Sequence, residues 1–227
     1  MAAPVAAPAP PLAARIPGVT PKYWTKAKRA LSAADPTMRS IIAAHPRGRL
    51  ESRGDAFVTL VRSIVGQQIS VKAAAAIWTR FCAACGETTP KAILRRRATT
   101  LRRCGLSDRK VEYIRDLAAH FVSGRVDPSL FDQQGDEEII EELIDIRGIG
   151  RWTAEMFLIF NLLRPDVLPL DDLGLLKAVS LHYLDGAPVV GRDGRARVNE
   201  IAAMWAPWRS VATWYLWRSL DPVPVTY

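Results

Sequence analysis

The residues best placed to do chemistry are two adjacent carboxylates, Asp171 and Asp172, ahead of an apolar segment running from Leu173 to Leu184. One Asp at such a place is an ordinary N-cap, its side chain taking up a backbone N–H of the first helical turn. Two exceed what capping needs, so one can cap while the other faces a cleft. Upstream, Gly148-Ile149-Gly150 precedes Arg151, and 22 residues separate Gly150 from Asp172 (172 − 150). Gly-Ile-Gly permits a tight turn with positive φ and lets the backbone come close to another molecule. A helix opening on that turn, with no Ser, Thr, Asp or Asn close enough to cap it, leaves N–H groups in need of partners. With Arg151 beside them they make a ready anion site. The same residues also fit an ordinary αα-hairpin with glycine at its turn.

Several elements must position these groups. Asp136 can cap a helix whose first turn carries Glu137 and Glu138, both favoured by the helix dipole. Ile139, Ile140, Leu143 and Ile144 recur on it at helical spacing. The helix after the glycines has Trp152, Met156, Phe157 and Phe160 on one face, so the pattern is helix, hairpin, helix. A two-proline turn, 161–170, then delivers the Asp pair. Nearer the N-terminus, Thr20-Pro21 opens a helix carrying Lys22, Lys26, Lys28 and Arg29, and Asp35-Pro36 opens another. Asp55 starts a helix with Phe57, Leu60, Val61, Ile64 and Val65 as its buried stripe. Ser70 caps the next, Val71 to Cys85, where the run Ala73 to Ala76 permits close packing. Gln67 and Gln68 lie at the junction of those two, where a polar turn is the plain reading. Thr89-Pro90 and Ser107 begin further helices, the second carrying Val111, Ile114, Leu117, Ala118 and Phe121. A polar connection over 186–197 leads to a helix starting at Asn199, and Pro207-Trp208-Arg209-Ser210 begins the last one. Trp205, Trp208, Trp214 and Trp217 crowd this end, more indole than a core alone commonly uses.

The chain has 227 residues, 49% hydrophobic and 24% charged, with a net charge of +8 and a pI near 9.8. That is a globular composition suited to a polyanionic partner, with a solvated basic surface as the plainer alternative. The run Arg95-Arg96-Arg97 with Arg102 and Arg103 reads first as a solvated face. If it meets DNA, it adds salt-dependent affinity without sequence preference. Residues 1–20 are Ala/Pro-rich, lack a basic stretch leading into an unbroken apolar one, and read as a disordered tail rather than a signal peptide. No apolar run approaches the ~20 residues of a membrane span. Three cysteines, Cys82, Cys85 and Cys104, suit a reducing cytoplasm better than a disulfide framework. Cys82 and Cys85 form a CxxC late in an apolar helix, without the further ligands a structural zinc site needs.

Taken in order, IVGQQIS (64–70), GIGRWTA (148–154), LPLDDLGLLKA (168–178) and APWRSVATWYLW (206–217) resemble the helix–hairpin–helix DNA glycosylases. Within them the alkylation-repair branch, the 3-methyladenine DNA glycosylase II type, is most similar, and the likeness covers most of residues 22–220. The resemblance implies an all-α, two-lobed fold. The branch's best-known bacterial member has an N-terminal β domain; helical patterning here begins at about residue 22, so that domain is expected to be missing. The expected lobes are 55–133 and 21–54 plus 134–220, within a glycosylase domain of 21–227. The activity implied is hydrolysis of the N-glycosidic bond of alkylated purines in double-stranded DNA, by a monomer. Asp172 is the implied catalytic carboxylate, being the last acidic residue before the apolar helix, although counting two residues past the Pro favours Asp171. Gly148, Ile149, Gly150 and Arg151 would hold the DNA backbone. Gln68, with Gln67 as second choice, would fill the space left by a flipped nucleotide. Trp152, Trp217 and Met156 would line the base pocket; Met156 stands where relatives carry Tyr. Trp152 occupies the place of the Lys nucleophile of the bifunctional lyases, and Trp cannot form a Schiff base. The carbonyls of Ile144, Ile146 and Ile149 match those that hold a monovalent cation, Na+ or K+, in relatives. No other cofactor is implied, and nothing after Cys104 could build the iron–sulfur loop of some relatives.

Three rivals remain at this stage. A non-catalytic DNA-binding module needs the glycines and the basic charge but neither the spaced Asp pair nor the terminal Trp. A glycosylase for oxidised or mismatched bases usually carries the Lys or the cluster. A helical interaction protein leaves the order of motifs unexplained.

Overall fold

The computed structural model describes residues 17–220. The expected tail falls outside the described residues up to position 16, as does the stretch from 221 onward. Among the described residues all regular structure is helical, and no helix is long and apolar enough to cross a membrane. In chain order the helices are α1 (Trp24–Ala34), α2 (Pro36–Ala44), α3 (Ala56–Gly66), α4 (Val71–Cys85), α5 (Pro90–Arg95), α6 (Ala98–Arg103), α7 (Asp108–Ser123), α8 (Asp136–Ile144), α9 (Arg151–Phe160), α10 (Leu173–Tyr183), α11 (Gly191–Ala202) and α12 (Arg209–Leu220). They form two compact units, one of residues up to Ser52 and from Leu158, the other Arg53–Phe157.

Five helix starts follow directly from capping residues. Asp35, Asp55, Ser70, Thr89 and Ser107 each accept a bond from a first-turn N–H. Pro at the first position of α2 and α5 supplies a fitting φ where no N–H is needed. In the unit holding the termini, α12 packs on α10, α2 and α1. Leu31, Met38, Leu50, Val179, Trp205 and Tyr215 are buried in its core. Trp24 stacks on Tyr215 and meets the edge of Trp214, at centroid distances of 5.7 and 5.4 Å. At the centre sits Asp35, 2% exposed. It caps α2 through Thr37 and Met38 N–H and also accepts from the Tyr183 hydroxyl (2.6 Å) and the Trp205 indole (2.9 Å). Burial, and then that carboxylate, push the Tyr183 phenol well above its ordinary range. In the other unit α7 is the hub, packed on α3, α5 and α6. Phe57, Leu60, Phe81, Ile93, Ile114, Leu117 and Phe131 fill the interior, and Phe131 meets the edge of Phe157 at 5.6 Å.

The structure departs from the sequence reading at several points. The hairpin helices fall with α3–α7 rather than with the termini, because polar contacts bind the hairpin to α7: the Arg147 N–H donates to Asp116, its guanidinium pairs with Glu112, and His120 Nε2 lies 3.2 Å from the Asp145 carboxylate. Asp136 is the first residue of α8, not its cap; Gly135 takes the cap position, its N–H donating to Glu138 (2.6 Å). Ile144 leaves the apolar stripe and is 47% exposed, since the helix ends there. α1 begins at Trp24, after a turn, rather than at Thr20-Pro21. Ala75 and Ala76 are exposed, and α4 buries Phe81 and Cys85 instead. α11 starts at Gly191, eight residues before Asn199, behind a Val190 that offers no side-chain cap.

Replacing Asp35 with Ala removes a cap, worth about 1 kcal/mol, and strands buried donors at about 1–3 kcal/mol each. Urea unfolding of Asp35→Ala should show a loss of about 3 kcal/mol or more, whereas a loss below ~1 kcal/mol would mean this carboxylate is not the hub.

Candidate active site and nucleic-acid grip

The carboxylate arises from a tight reversal before α10. Leu170 N–H donates to Leu168 O and Asp172 N–H to Pro169 O, each at 3.0 Å. Asp172 is then the N-cap of α10 and only 6% exposed. Its Oδ1 accepts from the Leu175 N–H and from the Trp217 indole N–H, both at 2.7 Å. Asp171 is turned to solvent, paired with Arg195 at 2.9 Å. Arg195 Nε also donates to Leu170 O. The expected division of labour is therefore corrected: cap and inward carboxylate are one residue, because a single oxygen serves both a helix N–H and an indole. Trp217 is half-buried and stacks on Phe160 (5.7 Å, 14°). A Cβ on Gly174 would stand 3.0 Å from the indole and 3.1 Å from Asp172 Oδ1, so this glycine lets the ring reach the carboxylate.

The hairpin is built in the other unit. Gly148 has φ +82 and lies against Tyr113, whose ring an added Cβ would overlap. Gly150 opens α9, its carbonyl accepting from Ala154 N–H. Among the described residues nothing lies within 4 Å of where its Cβ would be. Packing thus requires glycine at 148, while at 150 it leaves the surface open. Arg151 donates two bonds to Glu137 (2.9 and 2.5 Å) and one to the buried Glu155 (3.2 Å). The hydrogen bond from Arg151 holds the Glu137 carboxyl below its ordinary range. The guanidinium is thus paired with two carboxylates in place. Ile149 N–H donates to Ile146 O, so two of the three carbonyl-bearing residues Ile144, Ile146 and Ile149 are joined within one turn. Trp152 is half-buried and Met156 buried, one turn apart on α9.

The two glutamines separate cleanly. Gln67 donates through Nε2 to Gly148 O at 2.8 Å, tying its turn to the hairpin. Gln68 is exposed and takes φ +57, a conformation rare for a residue with a Cβ. Within the units, then, Asp172 is joined to Trp217, whose ring stacks on Phe160, and Gln67 is joined to Gly148. Lys110, Tyr113, Phe160 and Gly174 were not singled out as site residues by sequence. Lys110 continues the apolar stripe of α7 one turn before Ile114, and a cation at a stripe position beside the end of α3 is the available signal. Of the cysteines, Cys85 and Cys104 are buried, and burial raises the Cys85 thiol to about 11.

This arrangement defines a class. The chain belongs to the HhH-GPD superfamily of base excision DNA repair proteins, whose pattern matches residues 61–189. It is 34% identical over 205 residues to DNA-3-methyladenine glycosylase 1 of Schizosaccharomyces pombe, spanning 86% of this chain and 87% of that one. Among solved structures it is similar to a 3-methyladenine DNA glycosylase from the same yeast in complex with abasic DNA (32% identity, TM-score 0.73, 89% of this chain and 100% of the other). It is similar also to a DNA-3-methyladenine glycosidase from Bacillus halodurans (36% identity, TM-score 0.71, 82% and 90%).

Gly148→Ala meets both a positive φ, costing about 1–2 kcal/mol for an L-residue, and the Tyr113 ring. Its unfolding free energy should fall by at least that much, while Gly150→Ala, with open space and ordinary φ, should change stability by less than ~1 kcal/mol.

Proposed function

We propose that this chain is a monofunctional DNA glycosylase that releases alkylated purines, such as 3-methyladenine and 7-methylguanine, and leaves an abasic site. The observation that carries the reading is the Asp172 carboxylate, buried, fixed by a helix N–H and an indole N–H, and set 22 residues (172 − 150) beyond the hairpin glycine. The glycosidic bond is inaccessible in a duplex, so the nucleotide must first be flipped out. Gly148, Ile149 and Gly150 grip the phosphate backbone, and Gln68 occupies the vacated stack. As the C1′–N bond breaks, positive charge builds on the sugar, and the Asp172 carboxylate stabilises it and orients the attacking water. An alkylated purine is already cationic and departs as a neutral base without an enzyme acid. One carboxylate then suffices where glycosidases usually need two. Trp152 and Trp217 offer aromatic faces to the cationic base, worth about 0.5–2 kcal/mol each, and Met156 gives the pocket a pliable wall. Trp152 supplies no amine, so no Schiff base forms and the strand is not cut.

A monovalent cation, Na+ or K+, would be held by the carbonyls of Ile144, Ile146 and Ile149, hard oxygen donors suited to such an ion. The Ile146 oxygen already accepts one N–H and keeps a second lone pair. With Arg151 matched by Glu137 and Glu155, the cation would add the positive charge at the phosphate. The protein acts as a monomer on double-stranded DNA.

The test is incubation with methylated duplex DNA, scoring free 3-methyladenine and then alkali-labile sites. Asp172→Asn should bind that DNA yet lose base release by about 10²–10³-fold, the scale of one lost electrostatic stabiliser. Asp171→Asn should stay within a few-fold of the parent. Near-normal release by Asp172→Asn, or strand cleavage without alkali, would overturn the reading.

A further inference from the structure

Both elements assigned to the DNA, the Gln67-Gln68 turn and the Gly148 hairpin, trace back to one cation. Lys110, half-buried on α7, donates from Nζ to Val65 O and to Gln67 O, each at 2.8 Å. These carbonyls belong to the C-terminal end of α3, where oxygens lack intrahelical partners and a cation is favoured. Gln67, held there by its backbone, reaches with its side chain to Gly148 O. Gln68 follows with φ +57, a strained state that persists only when its surroundings over-determine it. The ammonium thus fixes the residue before the strained one, and that residue fixes the hairpin. Burial pushes the Lys110 pKa down, as expected for an ammonium taken from water.

We infer that Lys110 is a positioning residue for base excision: it holds the Gln67-Gln68 turn in register with the Gly148 hairpin, so that Gln68 projects into the duplex while the hairpin holds the backbone. This rests on the glycosylase reading above. It requires that Lys110 matter where a duplex must be opened and matter little where no stack has to be replaced. General damage to the fold would not discriminate between those substrates.

The experiment compares the parent chain, Lys110→Met and Lys110→Arg on methylated duplex and on methylated single-stranded DNA, with a thermal melt of each. It adds binding to an uncleavable duplex carrying an abasic-site analogue beside 2-aminopurine, whose fluorescence rises on unstacking. Lys110→Met should release base from duplex about ten-fold more slowly, stay within about two-fold on single strands, and lose the fluorescence rise. Lys110→Arg, which keeps the charge and the donors, should regain most of both. The inference is overturned if Lys110→Met matches the parent on duplex, or loses duplex and single-strand release equally. If the parent releases no base at all, the glycosylase reading fails on that result alone. The fluorescence arm needs no cleavage and still decides the inference: an undiminished rise with Lys110→Met rejects it, and a lost rise restored by Lys110→Arg supports it.

Discussion

The arrangement around one oxygen sets the terms for the rest of the site. Asp172 Oδ1 is shared between a helix N–H and an indole N–H. With both bonds made, the orientation of the carboxylate is set before any substrate arrives. Each surrounding feature serves that arrangement. The reversal at Pro169 and Leu170 aims the residue into the start of α10, and Gly174 leaves room for the indole. Phe160 holds the Trp217 ring from one face. Preorganisation of this kind is what electrostatic catalysis requires, since a carboxylate free to turn would spend its interaction on reorganisation.

The second unit applies the same logic with backbone groups. α7 presents an apolar stripe, Val111, Ile114, Leu117 and Ala118, to the interior. Lys110, in line with that stripe at the first turn, reaches the glutamine turn, while Glu112, Tyr113, Asp116 and His120, around the rest of the circumference, face the hairpin. A loop is normally the mobile part of a structure. Here two short loops are bound to one 16-residue helix and, through Gln67, to each other.

How much of this was legible in the sequence follows from range. Asp35, Asp55, Ser70, Thr89 and Ser107 were readable as helix starts because a cap acts on its own next three residues. Gly148 was readable because a positive φ is a local demand. α11 was misjudged because Val190 supplies no cap, and its polar, Gly-containing first turns resemble a loop. The hydrogen bond joining Trp217 to Asp172 crosses 45 residues and that joining Lys110 to Gln67 crosses 43. No spacing rule reaches so far. Resemblance could nominate Asp172 and Trp217 separately, but only the fold reveals that one is the hydrogen-bond partner of the other. Likewise, nothing in Gln-Gln says which side chain is committed. It takes the bond to Gly148 to assign Gln67 to the scaffold and leave Gln68 projecting.

Arg151 illustrates how a charge beside a proposed phosphate grip can be committed to carboxylates of its own hairpin. Its guanidinium joins Glu137, in the first turn of α8, to Glu155, one turn into α9. That makes it a strut across the hairpin, holding the two helix starts at fixed separation. Phosphate recognition on the proposed reading then falls to backbone N–H groups, whose directions are set by the turn and not by a flexible side chain. Long-range attraction is a separate task, and the net charge of +8 meets it without local geometry. A protein that must examine many sequences gains from this separation. Diffuse charge brings a duplex near without preference, while on the proposed reading the hairpin contributes direction, through its backbone N–H groups, rather than charge.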